Sequence, residues 1–368
     1  MTEERDMVNF ALPFTFGVVF ASMIPMPYAP LGTGLPMFLC TIPLAYLMSS
    51  RDYPESTSLA YISIITLAFL TGMACLNASE CMHIYGIESR TFLDNAGDRF
   101  CRSLRQTIYS IPFADKETGA IISALITGDR TQLSGDTVNA FRNSGASHIL
   151  ALSGLHLGLI YGIMKKITVP VGNTPSAKRM RSAIIIAACG FYTVATGAGD
   201  SIVRAFLFIA LHEAGSLTFR HTGIRQILHA SLVIQLALDP TAIRSVSFQL
   251  SYAAMAGIAY IYPYLQRFWP ERKVYRQPAP FRKIWESAAL SISCQITTAP
   301  LAWHYFSTFP QHFLLANMTA IPLTGIIIPG ALATIALQSI GICPEQLVKV
   351  TETLVESLKS VLETIAGM

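Results

Sequence analysis

The sequence is short of charge. Of 368 residues, 26 are Lys or Arg and 22 are Asp or Glu, so only 13% are charged, against about 25% in a soluble domain. Too little polar surface remains to coat a water-soluble body, which excludes an ordinary cytosolic enzyme. No G-x-x-x-x-G-K-[ST] loop is present, so the chain does not hydrolyse nucleotide by that route. The seven cysteines, at 40, 75, 81, 101, 189, 294 and 343, form no C-x-x-C pair and no Cys/His ligand spacing. Neither a metal nor another cofactor is expected. His212 and Glu213 stand in "HEAGS" without the second histidine of a zinc-protease helix. Met1 to Asn9 sets Glu3, Glu4 and Asp6 against Arg5, the wrong sign for a cleaved signal peptide, so the first apolar block is expected to be retained. No internal repeat is visible.

What the sequence does have is apolar length. Hydrophobic residues make up 52% and the mean hydropathy is +0.47. They gather in blocks at about 10–26, 31–49, 59–78, 148–164, 183–199, 201–217, 226–239, 246–264, 285–306 and 312–329. Such lengths cross a hydrocarbon core of roughly 30 Å as helices. The expected fold is therefore all-α, a polytopic membrane protein of about ten transmembrane helices with broken or re-entrant segments. A shorter block, Ala331 to Cys343, is expected to enter without crossing. Pro13, Pro25, Pro36, Pro43, Pro300, Pro322 and Pro329 interrupt apolar blocks and predict kinks or breaks there. From Pro344 onward, Leu347, Val350, Leu354, Leu358, Val361 and Ile365 recur at helical spacing and predict an amphipathic helix on protein or lipid surface. The chain thus divides into 1–118, 119–334 and 335–368.

Two linkers are basic. Lys165 to Ser182 holds Lys165, Lys166, Lys178, Arg179 and Arg181 without an acid, and Leu265 to Lys283 holds six basic residues against Glu271. Both are expected to be cytoplasmic. Counting spans backward puts residues 80–147 outside. That outer region starts polar, from Glu80 to Thr118, and continues from Gly119 to Gly145 as alternating short apolar turns, Gly and charge, which reads as a re-entrant or interfacial segment. Cys81 and Cys101 both fall in it, so a disulfide between them is one possibility in an oxidising compartment.

The candidate site residues fall in four stretches. In "HILALSGLHLGLIYGIM" (148–164), Gly154, Gly158 and Gly162 form a stripe at every fourth residue, the spacing for close helix packing. On one continuous helix, His148, Ser153 and His156 would lie on the opposite side, within an arc of about 140°. Polar groups at membrane depth are costly and mark a path or a site. Asp129, Arg130 and Arg142 stand in apolar context before this segment, and Asp200 precedes Arg204 by four residues in "GAGDSIVRAF", the order that favours a helical ion pair. Such a pair either fixes helix docking or leaves guanidinium for a passing anion. Gln249 and Asn317 add polar groups to later spans. Ser153 lacks the first glycine of a G-x-S-G turn, though nearby His156 keeps an intramembrane serine hydrolase in view. A small-molecule or ion transporter would share the buried charges.

The run "ALITGDRTQLSGDTVNAFRNSGASHILALSGLHLGLI" (124–160) resembles the signature of the ComEC competence family, in which a G-D-R turn precedes an S-H-x-x-A-x-S-G-x-H segment. "GAGDSIVRAF", "DPTAIRSVSFQLSYAAMAGI" (239–258) and "TTAPLAWHYFSTFPQHFLLANMTAIPLTGIIIPG" (297–330) fit the same family in order. The resemblance implies a multi-pass bacterial inner-membrane channel that admits single-stranded DNA during natural transformation. It also implies lipid contact, a separate cytoplasmic motor, and a periplasmic or external protein that delivers the DNA. Glu80 to Thr118 is too short of strands for the OB-type domain that family members often carry. The metal cluster of their metallo-β-lactamase-like domain is absent from this sequence. The expectation is a channel core without enzymatic activity.

Overall fold

The computed structural model describes residues 2–23, 57–84, 92–172, 174–217, 223–268, 279–307 and 312–368, with a few positions between 36 and 43. In chain order the helices are α1 (Thr2–Met23), α2 (Thr57–Ile84), α3 (Phe92–Ser110), α4 (Lys116–Thr127), α5 (Gly135–Asn143), α6 (Ser147–Leu150), α7 (Gly154–Ile167), α8 (Pro175–Ala195) and α9 (Asp200–Leu217). They continue with α10 (Ile224–Leu238), α11 (Val246–Ala256), α12 (Tyr262–Arg267), α13 (Ala279–Phe306), α14 (Phe313–Ser339) and α15 (Glu345–Ala366). No strand occurs among the described residues, so the all-α expectation holds. The chain forms two compact units, one of Met1–Ser89 with Thr218–Met255, the other of Arg90–Leu217 with Ala256–Met368.

In the first unit, α1 and α2 meet through glycine. A Cβ at Gly17 would stand 2.0 Å from the Phe69 carbonyl oxygen, and one at Gly72 would stand 2.1 Å from that of Phe14. Only hydrogen fits, so the backbones touch as small residues allow in membrane helices. Arg244 closes the same unit with a 2.8 Å ion pair to Glu80.

The second unit is centred on α4, whose residues from Thr118 to Thr127 are all buried. Around it, α14 contributes Ala316, Ala320, Ile327 and Ile328, and α15 contributes Val348, Val355, Leu358, Leu362 and Ile365. The amphipathic tail is therefore a core element packed on protein. Its buried face is rotated from the expected one, since Val348, Val355 and Leu362 are inside while Val350 is 56% exposed.

Among the described residues two helices, Tyr61–Glu80 and Phe313–Ser339, are long and apolar enough to cross a membrane, with Met7–Met23 and Ile224–Leu238 shorter apolar helices. The other predicted spans in the described residues are helical but carry charge or are interrupted. Helix α9 holds Asp200, Arg204 and Glu213, and α8 begins with Lys178, Arg179 and Arg181. The block at 31–49 lies almost wholly outside the described residues, as does most of the second basic linker. Surface chemistry agrees with lipid contact: Phe16, Ile62, Ile296, Trp303 and Ile326 are all exposed, a cost that a lipid environment removes.

Proline does not break these helices where breaks were expected. Pro13, Pro300, Pro322 and Pro329 all sit inside continuous helices, and α14 runs through both of its prolines to Ser339, so the block starting at Ala331 is the end of that rod. One missing N–H is a local loss that a packed rod absorbs. The departures from regular helix occur elsewhere. A π-helical segment, Gly257–Ile261, links α11 to α12, and a Cβ on Gly257 would stand 2.3 Å from the Ser293 carbonyl oxygen of α13. The second departure splits the predicted span 148–164 into α6 and α7.

Candidate functional site

Gly128 starts the construction of that break. It ends α4 with φ 77° and a bond from its N–H to the Ala124 carbonyl, and a Cβ there would stand 2.5 Å from Leu152 Cδ1. Glycine is required both for the left-handed turn and for the space. Asp129 follows and is fixed from two directions: Arg105 of α3 pairs with it at 2.8 Å, and the Thr131 hydroxyl donates to it at 2.7 Å. These contacts, that of Arg105 foremost, hold the Asp129 carboxyl below the usual carboxylate range. Arg130 then donates from Nε to the Leu150 carbonyl at 3.1 Å, satisfying a carbonyl at the end of α6 where the helical ladder stops. The G-D-R turn is thus the clamp that separates α6 from α7.

Helix α7 begins on Ser153, in extended backbone. His156 folds back over this start: its Nδ1 accepts from the Ser153 N–H at 3.1 Å and lies 3.0 Å from Ser153 Oγ. It is a capping arrangement with histidine in the place usually held by Glu or Gln. The imidazole has one acceptor lone pair, and the Ser153 amide already occupies it. A serine nucleophile needs that lone pair as its base, so this geometry does not support the hydrolase reading. The ring therefore carries its proton on Nε2. That atom is buried, the residue being 1% exposed, and finds no hydrogen-bond partner among the described residues. Leaving such a donor unsatisfied costs about 1–3 kcal/mol.

Arg204 of α9 comes to the same turn. It is buried, and a Cβ on Gly154 would stand 3.0 Å from its Nη2. Gly154 is therefore a close-approach residue, but toward a guanidinium. At Gly158 and Gly162 a Cβ would meet nothing within 4 Å among the described residues. The packing stripe expected from the every-fourth-residue spacing reduces here to its first member, because the helix begins at Gly154 and turns its later glycines to open space. His148 stays on α6, exposed, within electrostatic reach of His156. The expected single face of His148, Ser153 and His156 is not formed, since the chain leaves the helix between them.

The remaining predicted residues disperse. Asp200 starts α9, four residues before Arg204. Arg142 is exposed on α5. Asn317 lies on α14, which packs against α7, and its buried Oδ1 has no partner among the described residues. Gln249 belongs to the first unit, where its Nε2 donates to the Ile243 carbonyl at 2.8 Å. Cys101 is a free thiol that donates to the Ala195 carbonyl at 3.0 Å, so it makes no disulfide. The side chain of Cys81 is outside the described residues.

Sequence reading missed the buried carboxylate that lies on the same helix as Arg204. Glu213 of α9 is 6% exposed and accepts from Tyr161 of α7 at 2.7 Å and from Ser182 of α8 at 2.5 Å. The signal was present as an acid inside an apolar block, hidden because "HEAGS" invited comparison with a zinc motif.

The family described as Competence protein matches residues 125–368, which contain the whole of the clamp, the α7 start and Arg204. ComE operon protein 3 of Bacillus subtilis (strain 168) is 26% identical over 242 residues, 65% of this chain and 29% of that protein. The uncharacterized protein YcaI of Escherichia coli (strain K12) is 25% identical over 248 residues, 66% of this chain and 32% of that protein. The chain thus spans about a third of the length of these curated relatives. No solved structure matches it. With residues 125–368 matched and the G-D-R clamp and S-G-L-H start inside the match, this chain belongs to the Competence protein family.

Proposed function

We propose that the chain is the membrane-channel part of a DNA-uptake system, conducting single-stranded DNA across the bacterial inner membrane during natural transformation. The observation that carries this reading is the family match over residues 125–368, whose most specific motif builds a positively biased, glycine-opened helix start. A polyanion crossing a bilayer needs a cationic lining with hydrogen-bond donors; Arg204 is a buried guanidinium and His156 a buried, neutral N–H donor. In this reading the apolar helices beyond Tyr61–Glu80 and Phe313–Ser339 also cross the bilayer, giving about ten spans. Their polar members face one another and their apolar sides face lipid. Residues 165–182 and 265–283 then lie in the cytoplasm, where a separate motor pulls the strand, and residues 80–118 lie outside, where a delivery protein hands it over.

The test is deletion of the gene in its host, followed by counting transformants and measuring internalised labelled DNA. Loss of both, restored by the intact gene, is the expected result. Unchanged transformation, with small-molecule flux altered instead, would favour a transporter.

A further inference from the structure

We propose that the first turn of α7, His156 and Arg204 together form a binding site for a phosphate-type oxyanion, with the phosphodiester of a strand in transit as its occupant. The identity of the occupant rests on the channel reading. The site itself does not.

Three features belong to this turn. The first is the fixed tautomer of His156: with Nδ1 taken by the Ser153 amide at 3.1 Å, the ring presents an N–H at Nε2, buried and without an acceptor among the described residues. The second is Arg204, whose Nη2 lies 3.0 Å from the point where Gly154 would carry a Cβ. A Cβ at position 154 would force the guanidinium to give by a few tenths of an ångström, and a larger side chain would crowd it further. Its five donors allow it to serve a neighbour in the protein and a ligand together. The third is the helix itself, fourteen residues long, whose N-terminus carries partial positive charge and outward-facing amides.

The sign of the ligand follows from what surrounds it. Residues 147–167 contain no Asp or Glu, so nothing on α6 or α7 would attract a cation. A planar guanidinium, a ring N–H and helix amides match a group with several acceptor oxygens at once, which phosphate offers.

The experiment uses the full chain in detergent and three probes: a short labelled oligothymidylate, its uncharged methylphosphonate analogue, and inorganic phosphate as competitor. His156→Asn keeps an acceptor where Nδ1 serves Ser153 and deletes the Nε2 donor, while His156→Gln keeps a donor near the Nε2 position. The wild type should bind oligothymidylate and not the analogue. His156→Asn should weaken binding by about tenfold, as loss of a hydrogen bond to a charged group does, and His156→Gln should recover most of it. Gly154→Ala, which crowds Arg204 and leaves His156 untouched, provides a second loss if His156→Asn fails to fold.

If both variants fold and bind oligothymidylate like wild type, the site is wrong while the channel reading stands. If oligothymidylate fails to bind and inorganic phosphate binds in a His156-dependent way, the anion site stands and its assignment to DNA is overturned. Binding of neither probe to the folded wild type overturns the proposal.

Discussion

Ser134 starts α5 and Ser153 starts α7, and the two starts differ in what they leave open. At Ser134 every polar group closes on another. Its hydroxyl accepts from the Thr137 N–H at 3.2 Å, and it donates, as do Thr137 and Lys359, to the single carboxylate of Glu117. Asp115 caps α4 beside it and is tied through its N–H to Glu352 of α15 at 2.9 Å. At Ser153 the histidine closes only one of its two nitrogens. A closed polar cluster holds helices together, whereas a buried donor left open is a cost that packing alone does not explain. The first start is a docking corner and the second is the candidate site.

The strongest way to break this comparison is at the corner. Glu117→Ala removes the acceptor of three donors and should destabilise the fold by about 2–3 kcal/mol, read as a lowered unfolding midpoint and faster hydrogen exchange in residues 345–366. His156→Asn should not lower stability, since it keeps an acceptor for the Ser153 amide and removes a donor that nothing satisfies. Equal losses at the two sites would erase the distinction.

Acid should reproduce the first effect. Burial pushes the Glu117 carboxyl up, but the hydrogen bonds from Lys359, Ser134 and Thr137 outweigh it and hold the group at about 2, below its ordinary 4.5. A depressed carboxylate contributes stability above its unfolded value and loses it as pH falls through the folded one. Docking of α15 should therefore be unchanged from neutral pH down to about 4.5 and weaken between there and about 2. Protection of α15 amides against exchange, followed across that window, measures it. Release beginning near pH 6 would point to a histidine instead.

Glycine gives the next contrast. Gly128→Ala forces a Cβ into a left-handed turn and against Leu152, and should cost about 1–2 kcal/mol while displacing the clamp that ends α6. Gly158→Ala, in open space inside α7, should be neutral or stabilising by up to about 1 kcal/mol. Thermal unfolding of the two variants checks both, and a strongly destabilised Gly158→Ala protein would restore the packing stripe. The smallest effect is expected at Ser153→Ala. The Ser153 amide still caps through His156, and a lost hydroxyl in a wet path is replaced by water, so most DNA uptake should survive. Abolished uptake at normal protein abundance would return the serine to a chemical role.

Much of this architecture was legible from composition and periodicity. The charge deficit and apolar blocks gave an all-helical chain, and the 3.6-residue spacing after Pro344 placed a helix within a residue or so of α15. Its buried face was misjudged because Leu347, Val350 and Leu354 look as apolar as Val348, Val355 and Leu362, and only contact with α4, α5 and α14 decides between neighbouring stripes. Of the kinks or breaks read from proline, the breaks do not occur at Pro13, Pro300, Pro322 or Pro329. The real break, between Leu150 and Gly154, has no proline, and depends on Arg130 reaching a carbonyl twenty positions away in sequence. Local pattern carries no such information. The residue types of the site, His156, Gly154 and Arg204, could be named from sequence, but their meeting could not, since it requires α9 to pack on the start of α7.

The central claim is that Arg204 serves a passing anion, and the double change Asp200→Asn with Arg204→Gln addresses it most directly. The double change removes one charge of each sign, so the variant loses the Arg204 guanidinium without leaving the Asp200 carboxylate, four residues earlier on the same helix, as an added negative charge. Labelled DNA protected from external nuclease should be measured inside cells that carry equal amounts of wild-type and double-variant protein. Normal protein abundance with lost uptake is the predicted result. Full uptake by the double variant would show that Arg204 only docks helices and would contradict the account.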